Sequence, residues 1–314
     1  MNSFVFGLVS VAAATIVWGL QFPVAADVFV TVDPFFITSI RYLLASSLLL
    51  LCLVIFKSKQ FLFRNFFASR VWSIGIIGMG LSPILVFWGI SMSTAEQAAI
   101  IVATQPSIAI LIHWCVLKKR PATFVLICTV MAFVGVLLVI TKGTVAFMDQ
   151  EHSVFGNFVT FAGASMWVIY SIETSKWSDL RSWDLTLLTM LPGTFLIVSL
   201  TALLGMTGLA EVPHIADLTN VGWEIFYLSI VGVLFGMVAW NHGNQRIGAL
   251  NSTLFINLIP VAAFGMRSFQ GHTYLSIEIF GAFLVILALV LSNFYNRGVV
   301  EGALRFFKQK TSGG

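Results

Sequence analysis

The 314-residue chain is 58% apolar and 10% charged, with a formal net charge of +4. Ordinary soluble domains carry about 25% charged residues, so the composition excludes a pair of soluble domains and gives no basis for a nucleic-acid partner. Apolar runs near twenty residues recur from end to end, each long enough to cross a hydrocarbon core of about 30 Å, which marks an all-α, multi-pass integral membrane protein.

Ten spans are predicted, at about 4–26, 34–56, 71–93, 96–117, 122–141, 156–176, 184–205, 222–243, 247–268 and 276–296. The longest connections, 57–70 and 206–221, leave no room for an inserted soluble domain. No basic n-region precedes the first run and nine more runs follow, so a cleaved signal peptide is not expected. Cys52, Cys115 and Cys128 lie within apolar runs, are odd in number and imply no disulfide framework.

Lysine and arginine placement sets orientation. With the N-terminus in the cytoplasm, fourteen cations fall on the cytoplasmic side: Lys57, Lys59, Arg64, Arg70, Lys118, Lys119, Arg120, Lys176, Arg181, Arg246, Arg297, Arg305, Lys308 and Lys310. Lys142 stands alone opposite them, among Asp27, Asp33, Asp149, Glu151, Glu211 and Asp217. Both termini are therefore predicted to be cytoplasmic, with a short basic tail at 298–314 that fixes orientation or lies on anionic headgroups.

Taken along the chain, the polar groups at depth each need a partner or a purpose. Trp18 and Gln21 share a face of span one, as Trp167 and Tyr170 do in span six; both pairs suit a small-ligand wall or helix packing. Arg41, two turns into span two, has the fork geometry to hold a carboxylate. Pairing with Asp33, bonding to helix-end carbonyls, or snorkelling outward would serve it equally. Ser82-Pro83 marks the middle of span three, Gln105-Pro106 that of span four, and Asn257 with Pro260 that of span nine. A proline there removes a backbone hydrogen bond, so Pro83, Pro106 and Pro260 are candidate helix breaks. Gln105 and Asn257 suit a zwitterion or neutral solute, or simply satisfy a freed carbonyl.

At the outer end of span four, Thr94 precedes Gln97 and Ser93 precedes Glu96 by three residues, the spacing of a capping box. Glu96 is thus a cap acid or, functionally, a gate or proton-coupling carboxylate. Glu173, near the inner end of span six, is a second protonation candidate within helical reach of Lys176. Arg267, closing span nine, is an interfacial anchor or a cavity cation.

The chain also repeats itself. Phe6-Gly7 and Trp18 return as Phe155-Gly156 and Trp167 at an offset of 149. The hairpin with Ala95, Gln97 and Pro106 returns as Ala249, Asn251 and Pro260 at 154, and Cys128 and Gly135 align with Gly281 and Ala288 at 153. Two five-span halves, 1–145 and 150–297, are expected, and an odd number of spans per half inverts the second in the membrane. Inverted repeats with interrupted helices are characteristic of secondary transporters, whose sites lie near the midplane at the repeat interface.

Trp18-Gly19 with Pro23, Asp33-Pro34 with Arg41, and the twofold proline hairpin resemble the EamA-type members of the drug/metabolite transporter superfamily. The resemblance covers about 4–296. It implies a bacterial inner-membrane exporter or exchanger of amino acids or related metabolites, with a central cavity between the repeats. The acid that many relatives carry after each proline helix is replaced here by Lys118-Lys119-Arg120 and by Gly271-His272.

Alternating-access transport of a small-molecule substrate is the leading expectation. An exchanger of phosphorylated or nucleotide-linked metabolites would need several converging cations, and one or two are found. A membrane receptor or scaffold is the alternative from another class. The five histidines (His113, His152, His214, His242 and His272) scatter without metal-ligand spacing, and no nucleophile sits beside a base, so neither enzyme, metal nor cofactor is expected. Membrane lipid is the other partner, and a homodimer is an open option.

Overall fold

The computed structural model describes residues 3–55, 68–118, 120–144 and 151–296; the basic tail and several of the loop cations lie outside these. Every regular element among the described residues is a helix. In chain order these are α1 (Ser3–Val28), α2 (Pro34–Ile55), α3 (Ser69–Met92), α4 (Ala95–Ala103), α5 (Gln105–Leu117), α6 (Thr123–Thr141) and α7 (Glu151–Thr174). There follow α8 (Ser182–Met206), the short α9 (Ile215–Asn220), α10 (Gly222–Ile247), α11 (Ala249–Phe255), α12 (Leu258–Phe269) and α13 (Ser276–Asn296). Nine stretches among the described residues are long and apolar enough to cross a membrane, with α4–α5 and α11–α12 each running as one; α13 holds a shorter apolar run, Ser276–Ser292.

The prolines act in two different ways. Pro106 is the second residue of α5 and Pro260 the third of α12, the first-turn positions where a missing N–H costs nothing. The breaks themselves fall just upstream, at Thr104 and at Ile256–Asn257. Pro83, by contrast, does not break its helix. A π-helical turn at Ile76–Leu81 widens α3 immediately before it, and the Ser82 N–H reaches back to the Ile77 carbonyl. The altered hydrogen-bond register accommodates the proline within a continuous rod. A second π-helical stretch, Tyr227–Phe235, lies within α10.

The helices pack as matching sets. α1 lies against α10 and α12, and α7 against α3 and α4; α2 packs on α8 and α10, while α8 also packs on α3. α6 pairs with α13, and α4 with α12. Glycines set the closest crossings, because without side chains the backbones themselves can touch. A Cβ added to Gly243 of α10 would lie 2.6 Å from the Gly7 carbonyl of α1; one added to Gly89 of α3 would lie 2.6 Å from the Gly156 carbonyl of α7. At the α6–α13 contact, Gly135 would meet the Gly281 carbonyl at 2.6 Å.

Short connections send successive helices in opposite directions, so polar groups gather at two ends. At one, Arg267 of α12 pairs with Asp27 of α1 at 2.8 Å and with Glu96 of α4 at 3.6 Å, and Lys142 pairs with Glu278 at 3.6 Å. At the other, Glu173 pairs with Arg70 and Lys176, and Arg181 with Asp184. Gly89→Ala is expected to lower the thermal midpoint of purified protein, since overpacking of this kind costs about 1–3 kcal/mol. Gly265→Ala, with nothing within 4 Å of the added carbon, is the matched control and should unfold as wild type in the same thermal scan.

Candidate functional site

At mid-depth, between the two ends, lies a cavity of about 70 Å³, room for a few waters at roughly 10–15 Å³ each. Trp18, Gln21 and Phe22 of α1 line it, with Arg41 and Tyr42 of α2 and Ser82, Pro83, Val86 and Phe87 of α3. Val102 and Gln105 come from the α4–α5 break, Ile256 and Ile259 from the α11–α12 break, Trp167 from α7 and Met237 from α10. No aspartate or glutamate is among these lining residues.

Arg41 dominates the electrostatics. It is 2% exposed and has no ion-pair partner among the described residues. Its Nη2 donates to Gln21 Oε1 at 2.9 Å and its Nε to the Leu228 carbonyl at 3.2 Å, while the guanidinium lies 3.9 Å over the Phe87 ring. Nη1 has no partner. Arg41 neither snorkels nor meets a helix-end carbonyl: the carbonyl it bonds, that of Leu228, lies within a π-helical stretch of α10. Asp33 is occupied elsewhere, accepting from the Phe35 N–H at 2.8 Å to cap α2.

The π-helical stretch of α10 explains why a carbonyl is available. Leu228 and Gly232 both lie within it; the first accepts from Arg41, and the second accepts from Trp18 Nε1 at 3.0 Å. Gly236, one residue beyond the stretch, leaves the space that the Trp18 indole occupies. Toward the Arg70 end the cavity is floored by aromatics. Trp18 meets Trp167 edge-on at 5.2 Å and Trp240 at 5.3 Å, and Trp167 stacks on Tyr170 at 5.0 Å.

Tyr170 lies beneath this floor and does not line the cavity. Its hydroxyl donates to Asn241 Oδ1 at 3.1 Å and sits 3.2 Å from Thr189 Oγ1. Asn241 Nδ2 donates to Thr186 Oγ1 at 2.9 Å, and Asn244 Nδ2 to the Ser171 carbonyl at 2.9 Å. This buried polar layer ties α7, α8 and α10 together. Asn257 also stands apart, at the start of α12, with its Oδ1 unpartnered.

Trp18, Gln21, Arg41, Ser82, Pro83, Gln105 and Trp167, all singled out in the sequence, thus meet around one cavity, whereas Glu96, Glu173 and Arg267 lie at the helix ends. Glu96 stands in the first turn of α4, whose cap is Thr94 Oγ1 accepting from the Gln97 N–H at 3.2 Å. The capping box is only half formed. The Gln97 side chain turns away, its Oε1 accepting from Asn157 and Ser153, and Ser93 Oγ bonds the Gly89 carbonyl.

The missed lining residues include Tyr42, Phe87 and the pair Ile256 and Ile259. The repeat offset of 154 links Val102 to Ile256 and Gln105 to Ile259. Applied to Gln105, it points to Ile259 as the counterpart and pairs Asn257 with Ala103 instead. Tyr42 gave no such signal, because adjacent helical residues point about 100° apart.

Among lining residues, the buried polar atoms without a hydrogen-bond partner are Arg41 Nη1, Tyr42 Oη, Trp167 Nε1 and Gln105 Oε1. That set offers three donors and, with the Tyr42 hydroxyl serving in both roles, two neutral acceptors around a single cation.

The model of the EamA-like transporter family matches this chain twice, over residues 5–141 and 154–294. Among curated relatives, "Uncharacterized transporter YrdR" of Bacillus subtilis (strain 168) is 28% identical over 299 residues, covering 93% of this chain and 92% of its own. "Uncharacterized transporter YyaM" of the same organism is 27% identical over 258 residues, covering 81% and 82%. One solved crystal structure superposes with a TM-score of 0.67 at 16% identity, covering 95% of this chain and 98% of that one, a likeness of fold alone.

The polar contacts predict opposite stability effects for two neighbours. Gln21→Leu strips a partner from the buried guanidinium and should destabilise the fold by an amount on the order of 1–3 kcal/mol, read as a lower thermal midpoint. Arg41→Met removes the buried charge and should leave the midpoint unchanged or raise it. Thermal unfolding of the two variants in the same detergent checks the contrast.

Proposed function

The chain belongs to the EamA-like transporter family, a multi-pass membrane transporter, and on that premise we propose that it exports small polar metabolites by alternating access. Amino acids and related metabolites are the proposed cargo, and the bacterial cytoplasmic membrane the proposed location, with both termini inside. Ten spans in two inverted halves, 1–145 and 150–297, form the machine.

The observation that carries this reading is the composition of the cavity wall. Trp18 and Trp167 are equivalent at offset 149, and Val102 with Ile256 and Gln105 with Ile259 at 154; each pair contributes both members. A cavity shared in this way by two halves is where a transporter of inverted repeats binds its solute. The helix contacts support the same symmetry. The Gly7–Gly243 crossing of α1 and α10 has its counterpart in the Gly156–Gly89 crossing of α7 and α3, at the same two offsets.

Contacts at both ends suit gates. Asp27, Glu96, Arg267 and Gln270 join α1, α4 and α12; Gln270 Nε2 donates to Asp27 Oδ2 at 3.1 Å. Partly exposed pairs of this type are worth about 0–1 kcal/mol each, weak enough to break and re-form in each cycle. The Tyr170–Asn241 layer is the counterpart at the other end. Glu173 is held between Arg70 and Lys176 and is assigned to that end's ion pairing. One cation in the cavity speaks against phosphorylated or nucleotide-linked cargo, which calls for several.

The test is uptake into proteoliposomes loaded with a mixed pool of amino acids and metabolites, with and without a pH gradient. Movement above empty vesicles is expected, and Gln105→Ala and Trp167→Ala should each reduce it while the purified variants remain monodisperse. If no solute moves, the transporter reading fails; if both variants transport normally, the cavity assignment fails.

A further inference from the structure

Resting on the transporter reading above, we infer that the group this cavity recognises is a single carboxylate on a small, largely apolar body, and that a substrate ammonium is not part of the recognition. The first reason is charge balance. Arg41 is buried with no carboxylate among the residues lining the cavity, and a buried cation is costly until a counter-charge arrives. The acids at the Arg267 end are committed elsewhere: Asp27 and Glu96 face Arg267, and Asp33 caps α2. A monoanion neutralises the cavity, whereas a dianion would overshoot by one charge.

Donor geometry is the second reason. Gln21 and the Leu228 carbonyl take two of Arg41's three nitrogens, which fixes the guanidinium and leaves Nη1 without a partner. Tyr42 Oη and Trp167 Nε1 are further unpartnered groups able to donate. A carboxylate, with about four acceptor sites, takes all three donors; of these groups an ammonium is served by the Tyr42 oxygen alone.

The cavity has little to offer an ammonium. Gln105 Oε1 and the Tyr42 hydroxyl oxygen are the unpartnered side-chain acceptors among its buried lining atoms, and neither carries a charge. Two of the rings a cation–π cage would use are already engaged, Phe87 with Arg41 and Trp167 with Tyr170, Trp18 and Trp240, and the resident guanidinium repels a second cation. Apart from the Ser82 hydroxyl, the remaining wall is apolar, built from Phe22, Pro83, Val86, Val102, Met237 and the Ile256–Ile259 pair, which selects a largely apolar body.

The experiment uses the full chain in proteoliposomes at neutral pH, with solutes that differ by one group at a time: leucine, 4-methylpentanoate, 3-methylbutylamine and 4-methylpentanamide, corrected for leak into empty vesicles. The two carboxylates are expected to move, with 4-methylpentanoate at least as fast as leucine, and the amine and amide to stay at background. Arg41→Gln should lose carboxylate transport by ~10-fold or more, the scale of one charge-assisted contact. Tyr42→Phe, which removes one hydroxyl and keeps the ring, should lose a smaller but measurable share. The inference is overturned if the amine moves as well as the carboxylates, if leucine outpaces its deaminated analogue by ~10-fold, or if both variants transport normally. If this series stays at background while a mixed metabolite pool moves, the inference falls and the transporter reading stands; if neither moves, both fall.

Discussion

A guanidinium buried without a carboxylate is the constraint around which the middle of this protein is arranged. Arg41 is held by Gln21, by the Leu228 carbonyl and by the face of Phe87, and each partner arrives from a different helix. α1 supplies the amide, α10 the carbonyl and α3 the ring. Neutral partners satisfy hydrogen bonds but not charge, so the cavity keeps a net positive potential where water is scarce. That potential is what supports the proposal of a binding site here over an ordinary polar contact in the core.

The carbonyl partner depends on backbone irregularity. A regular α-helix spends its carbonyls internally, but the π-helical stretch of α10 presents those of Leu228 and Gly232 to Arg41 and Trp18. α3 carries its own π-helical turn next to Pro83, and the two breaks at Thr104 and at Ile256–Asn257 bring Gln105 and Ile259 to the cavity wall. Irregular backbone at membrane depth is tolerated where protein or a cavity satisfies it, and here four such places surround one cavity. The glycine crossings let the surrounding backbones touch, while α1 and α10 are also joined by the bond from Trp18 Nε1 to the Gly232 carbonyl.

Much of this was legible in the residues. Apolar runs located the helices to within a few residues, although span four and span nine are each split, and the offsets of 149 and 154 link Trp18 to Trp167, Val102 to Ile256 and Gln105 to Ile259, all of which line the cavity. Arg41, Gln105 and Trp167 stood out because polar or amphipathic groups in an apolar run need a reason. What could not be read was direction and partner choice. Tyr170 shares a face with Trp167 yet bonds downward to Asn241, a residue 71 positions away. Asn257 looked like the mate of Gln105 because both are amides near a proline, but helix register pairs Gln105 with Ile259. Proline marks irregularity in a sequence without saying whether the helix will break, as near Pro106, or widen, as at Pro83.

Arg41 is the proposed anchor for the transported solute. The most direct measurement is a structure of the protein with a transported carboxylate bound. The carboxylate should lie within hydrogen-bond distance of Arg41 Nη1, about 2.7–2.9 Å for a charge-assisted contact, with its apolar body between the two helix breaks. A solute bound elsewhere, or Arg41 paired with an acid of the protein itself, would contradict it.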